Sequence, residues 1–129
     1  MQNVRTQPRG NAVASIAFGD RQPPYAAEAE VSVLGGMLID GDAVAKAVEI
    51  LTDDGMFYRE GNRRIYRSMM RLFQKGAVVD PVTLTEELTQ TGELDSVGGV
   101  QYLAELMDAV PTAANVEYHA KIVRERALL

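Results

Sequence analysis

Residues 32–40, "SVLGGMLID", place two adjacent glycines inside a predicted helix over residues 27–38. The apolar face of this helix consists of Val31, Leu34 and Leu38. A glycine inside a helix costs about 0.5–1 kcal/mol relative to alanine, because it loses more backbone entropy on folding. We therefore expect Gly35 and Gly36 to allow a close crossing, by another helix backbone or by a bulky side chain. The aromatic candidates are Phe57 and Tyr58. A local bend and a ligand contact are the alternatives.

Helical spacing continues along the chain, and strict alternation of apolar and polar residues is nearly absent. The clearest helix signal is residues 80–92, "DPVTLTEELTQTG", with Asp80 as N-cap and Pro81 at the first helical position. Further helices are predicted after an N-cap at Asp42, over 62–75, within 94–110 and from 115 onward. The sequence therefore predicts an all-α fold, with a compact globular head of about four helices followed by an antiparallel helical hairpin.

Three segments are predicted along the chain: a flexible tail over residues 1–22, the helical head over 23–96 and the hairpin over 97–129. The apolar stripe of the first hairpin helix is Val100, Leu103, either Leu106 or Met107, and Val110, and that of the second is Val116, Ala120, Val123 and Ala127. The second hairpin helix reaches Leu129 without a glycine, proline or capping residue. We interpret this helix as cut at the chain end, either at an artificial boundary or within a longer protein.

The composition excludes several kinds of site. The chain has 129 residues and no cysteine, so it has no disulfide, thiolate metal site or cysteine nucleophile, and a reducing cytoplasm is the natural compartment. No apolar run reaches the roughly 18–20 residues of a membrane span, and the N-terminus lacks a signal-peptide layout. The formal charge is -5, and the acidic residues lie almost entirely outside the tail. An acidic body argues against broad contact with a phosphate backbone.

Sequence motifs that are typical of catalytic, nucleotide-binding or metal-binding sites are nearly absent. A phosphate-binding loop needs G-x-x-x-x-G-K-[ST], which the chain lacks, so nucleotide hydrolysis is not expected of it. His119 is the only histidine and has no cysteine partner, which favours a structural or surface role over metal binding. The acid pairs at 53–54 and 86–87 suit a loop and the first turns of a helix. The glycines of residues 95–101, "DSVGGVQ", fit a turn into a helix better than an anion site.

A basic stripe recurs every fourth residue on the predicted helix over 62–75, and it consists of Arg63, Arg67, Arg71 and Lys75. Like charges at this spacing repel one another by a few tenths of a kcal/mol, so some interaction should offset the repulsion. The favoured interpretation is a solvated face or pairing with the acidic body of the chain. An acidic partner surface and nucleic acid are the alternatives, although no aromatic residues that could stack on bases interleave with the arginines.

Six blocks of sequence carry a family resemblance: "PPYAAEAEVSVLGGML", "FY", "RRIY", "DPVTLTEEL", "LDSVGGVQYLAEL" and "PTAANVEYHAKIVRER". In this order and at this spacing, they resemble the N-terminal domain of the bacterial replicative DNA helicase, the DnaB family, over residues 23–129. One departure lies between the "FY" block and the residues "IY" that end the "RRIY" block, where the family often has a histidine. This chain has Asn62, Arg63 and Arg64 there, so no role of that histidine is carried over.

The resemblance implies a domain without catalytic residues, cofactor or metal of its own, in a hexameric ring that unwinds DNA at the replication fork of the bacterial cytoplasm. ATP and Mg²⁺ would belong to a motor domain outside this chain, and DNA would be bound mainly through the whole ring. The N-terminal domains would form a collar through dimer-like contacts between hairpins, and the collar would dock the C-terminal domain of primase, DnaG. No membrane partner is expected.

The hairpin positions that match this self-association and partner surface are Tyr102, Leu106, Val110, Val116, Ile122 and Val123. Two other functions remain open from the sequence. One is a stand-alone adaptor that mimics the collar without a motor. The other is a direct single-stranded DNA-binding module that uses the basic stripe and the tail.

Overall fold

The computed structural model describes residues 24–128, and every regular element among them is helical. In chain order, the α-helices of this range are α1 (Pro24–Ile39), α2 (Gly41–Ile50), α3 (Glu60–Gln74), α4 (Pro81–Gln90), α5 (Gly99–Asp108) and α6 (Val116–Ala127). A short 3-10 helix, Asp54–Met56, lies between α2 and α3. The predicted all-α class is confirmed. The tail predicted over residues 1–22 lies outside the described residues.

Helix α1 runs through the middle of the fold. Its buried residues include the predicted face of Val31, Leu34 and Leu38, and also Val33 and Met37 on other sides of the helix. Helices α2, α3, α5 and α6 all contact it. A helix that is apolar on all sides is stable only inside a protein. Helix α1 is therefore the central helix on which α2, α3, α5 and α6 bury apolar side chains.

Capping residues set where α2 and α4 begin. Asp80 Oδ1 accepts the Thr83 N–H at 2.9 Å, and Thr83 Oγ1 accepts the Asp80 N–H at 3.0 Å, so α4 begins with the predicted cap in a reciprocal pair. The N-cap of α2 is Asp40, whose Oδ1 accepts the Asp42 N–H at 3.0 Å. The prediction of Asp42 as N-cap is wrong, because Asp40 alone separates α1 from α2 and takes the extended conformation that a cap needs.

Helices α5 and α6 pack against α1, and α6 also packs against α2. Residues on both sides of the predicted boundary at 96–97 contribute to one core, and the division into head and hairpin stays a prediction. Helix α5 begins at Gly99, later than the start of the predicted 94–110 segment, because Gly98 and Gly99 have φ angles of 114° and 70°. Val100 and Ala127 are exposed and do not belong to the buried stripes predicted for them.

Candidate interaction surfaces

The glycine pair of α1 lies where the end of α5 and the start of α6 converge. A Cβ atom added at Gly35 would lie 2.6 Å from Val110 Cγ2 and closer still to the Leu106 carbonyl oxygen. At Gly36 the nearest atom is the Ala113 Cβ, at 3.5 Å from an added Cβ. The close approach is therefore made by the backbone of α5 and by the connector between α5 and α6. The two aromatic residues considered from the sequence are not among the nearest neighbours.

A buried polar network joins α1, α3 and α5. The Glu30 side chain on α1 accepts the Tyr58 backbone N–H at 2.7 Å and the Asn62 side-chain N–H at 2.9 Å. Asn62 Oδ1 accepts the Tyr102 hydroxyl at 2.7 Å, and the Arg59 guanidinium lies 5.8 Å from the centroid of the Tyr102 ring. Burial raises the pKa of Tyr102 to about 12, so its hydroxyl stays protonated and able to donate at neutral pH.

Glu30 has no role in the sequence-based prediction, although a signal for it exists. It precedes Leu34 by four residues and therefore lies on the apolar face of α1. Its exposed fraction is only 2%. A charged residue at such a position requires hydrogen-bond partners in the core, because burial of an unpaired charge is costly. The partner residues come from distant parts of the sequence, which is why the network could not be assembled from spacing alone.

The six residues predicted as a partner surface take different positions in the fold. Four of them are buried within the chain itself, with exposed fractions of 8% or less: Leu106, Val110, Val116 and Val123. A partner cannot reach these four side chains in the folded domain, so their assignment to a surface is wrong. The physical reason is that the apolar faces of α5 and α6 are covered by their own neighbours, α1 above all. Tyr102 and Ile122 are only partly buried.

Other apolar side chains are exposed instead. On α5 and α6 they are Val100, at 58% exposure, and Tyr118, at 65%. A second group, Phe73, Val78 and Val82, lies at the corner between α3 and α4. Exposed apolar residues are common on any protein surface. A partner can nevertheless contact these side chains without opening the fold.

Every member of the basic stripe has an acidic partner within the chain. The salt bridges are Arg63–Glu60 at 2.9 Å, Arg67–Asp54 at 2.9 Å, Arg71–Glu87 at 3.0 Å and Lys75–Glu87 at 3.6 Å. The hydrogen bond from Arg71 lowers the pKa of Glu87, which keeps this carboxylate charged. The stripe therefore pairs with acidic residues of α3, of α4 and of the 3-10 helix. A bound anion would compete with these carboxylates for the cations.

Residues 24–128 place no group of three histidine, cysteine or acidic side chains where it could hold a metal ion. Within the same range, no helix has the length and apolar character needed to cross a membrane. The ring of His119 meets the Tyr118 ring edge-on, at a centroid distance of 5.5 Å. Burial lowers the pKa of His119, so this side chain is neutral at pH 7.

The fold and its surface define a small all-α domain that is built around one apolar helix and pairs its basic stripe internally. The family model described as "DnaB-like helicase N terminal domain" matches residues 22–125. The chain belongs to the family of DnaB-like helicase N-terminal domains, as the sequence resemblance predicted.

Two curated relatives and one solved structure show how far the similarity extends. The chain is 48% identical over 115 residues to the replicative DNA helicase DnaB of Geobacillus stearothermophilus, covering 89% of this chain and 25% of that protein. It is 50% identical over 108 residues to the replicative DNA helicase DnaB of Rhodothermus marinus, covering 84% of this chain and 11% of that protein. The chain thus spans a quarter or less of the length of these two relatives.

The solved structure is the crystal structure of the N-terminal domain of DnaB helicase from Mycobacterium tuberculosis. It matches with a TM-score of 0.75 at 46% sequence identity, and the match covers 78% of this chain and 69% of that one. The fold described above is therefore similar to that of a crystallised member of the family.

Proposed function

We propose that the chain is the N-terminal oligomerisation and primase-docking domain of a hexameric, ATP-dependent replicative DNA helicase. The observation that carries the proposal is the family match over residues 22–125, together with relatives that are named replicative DNA helicases. In this proposal, ATP and Mg²⁺ act in a motor domain outside the chain, at the replication fork in the cytoplasm. The partners are further copies of the same protein, the C-terminal domain of primase, and DNA bound by the whole ring.

The internal pairing of the basic stripe favours docking over direct DNA binding. Neutralisation of phosphates requires cations that can leave their present partners, and each broken pair would expose a carboxylate to the incoming phosphate. Arg67, for example, contacts Asp54 through both Nε and Nη2, at 3.1 and 2.9 Å. The surface proposed for contact therefore lies elsewhere.

The exposed sides of α5 and α6 are the proposed docking surface. This region includes Tyr102 and Ile122, the two partly buried positions among those to which the family resemblance assigned the partner contact. The available side chains are Val100, Tyr118 and the partly buried Ile122. Tyrosine is enriched among the residues that dominate binding energies at interfaces. Tyr118, at 65% exposure, is therefore the residue of this surface that we expect a docking partner to contact most extensively.

The test is a calorimetric titration of the chain with the isolated C-terminal domain of primase. Tyr118→Ala should weaken binding roughly tenfold, since a central tyrosine contributes more than about 1.4 kcal/mol at an interface. Val82→Ala is the matched control, because Val82 is also exposed but lies on α4. If both variants weakened primase binding equally, or if Tyr118→Ala did not weaken it, the proposal that α5 and α6 form the docking surface would be wrong. No binding of the unaltered chain would refute primase docking itself.

Oligomerisation and the parent protein have their own tests. Sedimentation velocity should show concentration-dependent association, and a chain that stays strictly monomeric at high micromolar concentration would contradict the oligomerisation role. The reading frame beyond codon 129 should encode G-x-x-x-x-G-K-[ST], because a helicase motor needs a phosphate-binding loop. A frame that stops without this motif would favour the stand-alone adaptor.

A further inference from the structure

The sequence contains two Asp-Gly pairs, Asp40–Gly41 and Asp54–Gly55. An aspartate followed by glycine is prone to isomerise, because glycine carries no side chain that would shield its backbone nitrogen from the aspartate carboxyl group. The two pairs have the same covalent chemistry, so any difference in their reactivity must come from the fold. Neither pair takes part in the surfaces proposed for docking.

The isomerisation proceeds in two balanced steps. First, the glycine nitrogen attacks Cγ of the protonated aspartate side chain, and the amide hydrogen and the carboxyl hydroxyl leave as water, which closes a succinimide ring. A water molecule then opens the ring at the original backbone carbonyl carbon. The main chain now runs through Cβ and Cγ, and the free carboxylate sits on Cα. The product, isoaspartate, has one additional backbone atom, and no oxidant or reductant is consumed.

The Asp40–Gly41 pair is open to this reaction. Both residues are exposed, and a Cβ atom added at Gly41 would meet nothing within 4 Å, which leaves room for the succinimide ring. The Gly41 N–H has no acceptor within the part of the chain that the structure describes. The Asp40 carboxylate is held by a single hydrogen bond, from the Asp42 N–H at 3.0 Å.

The Asp54–Gly55 pair is restrained at both reacting groups. The Gly55 N–H donates to Asp53 Oδ1 at 3.2 Å, and the same carboxylate oxygens would crowd any atom added to Gly55. The Asp54 side chain accepts hydrogen bonds from Arg67 Nε at 3.1 Å and Arg67 Nη2 at 2.9 Å. Both restraints must be released before the ring can close.

We propose that Asp40–Gly41 is the isoaspartate-forming site of the folded chain, and that Arg67 and Asp53 protect Asp54–Gly55. The consequence at position 40 follows from its place in the fold. Asp40 is the only residue between α1 and α2, and its side chain is the N-cap of α2. Isomerisation would lengthen this junction by one backbone atom and would move the carboxylate off the cap. Ageing of the protein should therefore loosen the contact between α1 and α2.

The test is peptide mapping by mass spectrometry, with fragmentation that distinguishes isoaspartate from aspartate. The folded chain is incubated at neutral pH, well below its melting temperature, beside a sample unfolded in urea. In the folded sample, isoaspartate should form roughly tenfold faster at position 40 than at position 54, a difference equal to about 1.4 kcal/mol in barrier height. In urea the two rates should become similar, because the restraints on Asp54 are lost.

Two variants sharpen the test. Arg67→Ala should accelerate isomerisation of Asp54 in the folded chain and leave Asp40 unchanged. Gly41→Ala should suppress isomerisation at Asp40. The added methyl group at position 41 would meet nothing within 4 Å, so this variant should fold. Equal rates at the two sites of the folded chain, a faster rate at Asp54, or an Asp54 rate that does not respond to Arg67→Ala would each overturn the proposal.

Discussion

Alanine substitutions at the two adjacent glycines of α1 should change the stability of the domain in opposite directions. In Gly35→Ala the new Cβ would lie 2.6 Å from Val110 Cγ2 and closer still to the Leu106 carbonyl oxygen. The Val110 side chain can rotate, whereas the carbonyl belongs to the backbone of α5, so α1 and α5 must move apart. Overpacking of a core costs about 1–3 kcal/mol. Because backbone must move, we expect a net loss of about 2 kcal/mol even after the better helix propensity of alanine.

Gly36→Ala is the matched control, one residue further along the same helix. Its Cβ would lie 3.5 Å from the Ala113 Cβ and 3.8 Å from Val116 Cγ2, which are ordinary van der Waals distances. The substitution therefore gains helix propensity without a clash, and we expect a stabilisation of about 0.5–1 kcal/mol. About 1 kcal/mol shifts the Tm of a domain of this size by about 4 °C. The two variants should consequently differ in Tm by roughly 10 °C.

Urea denaturation followed by circular dichroism measures both free energies of unfolding, and an unchanged m value would show that the denatured state is the same in both variants. If Gly35→Ala were as stable as the unaltered chain, α5 could move away from α1 at no cost and the close crossing would not explain the glycine. If both variants lost stability equally, the cause would be a general intolerance of side chains in this part of α1, and the distinction between the two neighbours would fail.

Three further predictions concern polar contacts. Tyr102→Phe leaves the buried Asn62 Oδ1 without its donor and should cost about 1–3 kcal/mol in urea denaturation; no change would indicate that water replaces the hydroxyl. Asp80→Ala removes the N-cap of α4 and should cost about 1 kcal/mol, whereas Asp80→Asn should restore most of it. Arg71 lowers the pKa of Glu87 in the folded chain, so the unfolded chain takes up this proton at a higher pH. The stability that the ionised Glu87 contributes is therefore present above about pH 4.5 and is lost as the pH falls through the lowered pKa of the folded chain. Glu87→Gln should flatten this acid-induced loss in denaturation curves measured between about pH 5 and 3, and an unchanged slope would contradict it.

The parts of the fold that sequence predicts well are those fixed by contacts within a few residues. The cap of α4 is an example, since Asp80 bonds to Thr83 only three positions away. The start of α2 shows the limit of the same reasoning, because Asp40 and Asp42 are both capable caps and only the one-residue junction with α1 decides between them. The sequence analysis named only Asp42, and the structure places the cap at Asp40.

The candidate surface was harder to predict, because burial depends on neighbours that are distant in sequence. Leu106 and Val116 have the same apolar character and helical spacing that a docking residue would have. The structure buries both, since the glycines of α1 bring the end of α5 and the start of α6 against the central helix. The sequence did suggest that the glycine pair permits a close crossing. It could not show which helix makes that crossing, and therefore which apolar faces are hidden.

Of residues 62–64, Asn62 is the one that belongs to the buried polar network. Asn62 donates one hydrogen bond, from its side-chain nitrogen to Glu30 Oε1, and accepts another at Oδ1 from the Tyr102 hydroxyl. A neutral imidazole also has one donor and one acceptor. A histidine in this position would therefore meet the same two demands, provided that the nitrogen facing Glu30 carried the proton. Unlike an amide, an imidazole beside a buried carboxylate can take up a second proton. Asparagine supplies both hydrogen bonds, which link α5 to α1 through α3, and has no second proton of this kind to take up.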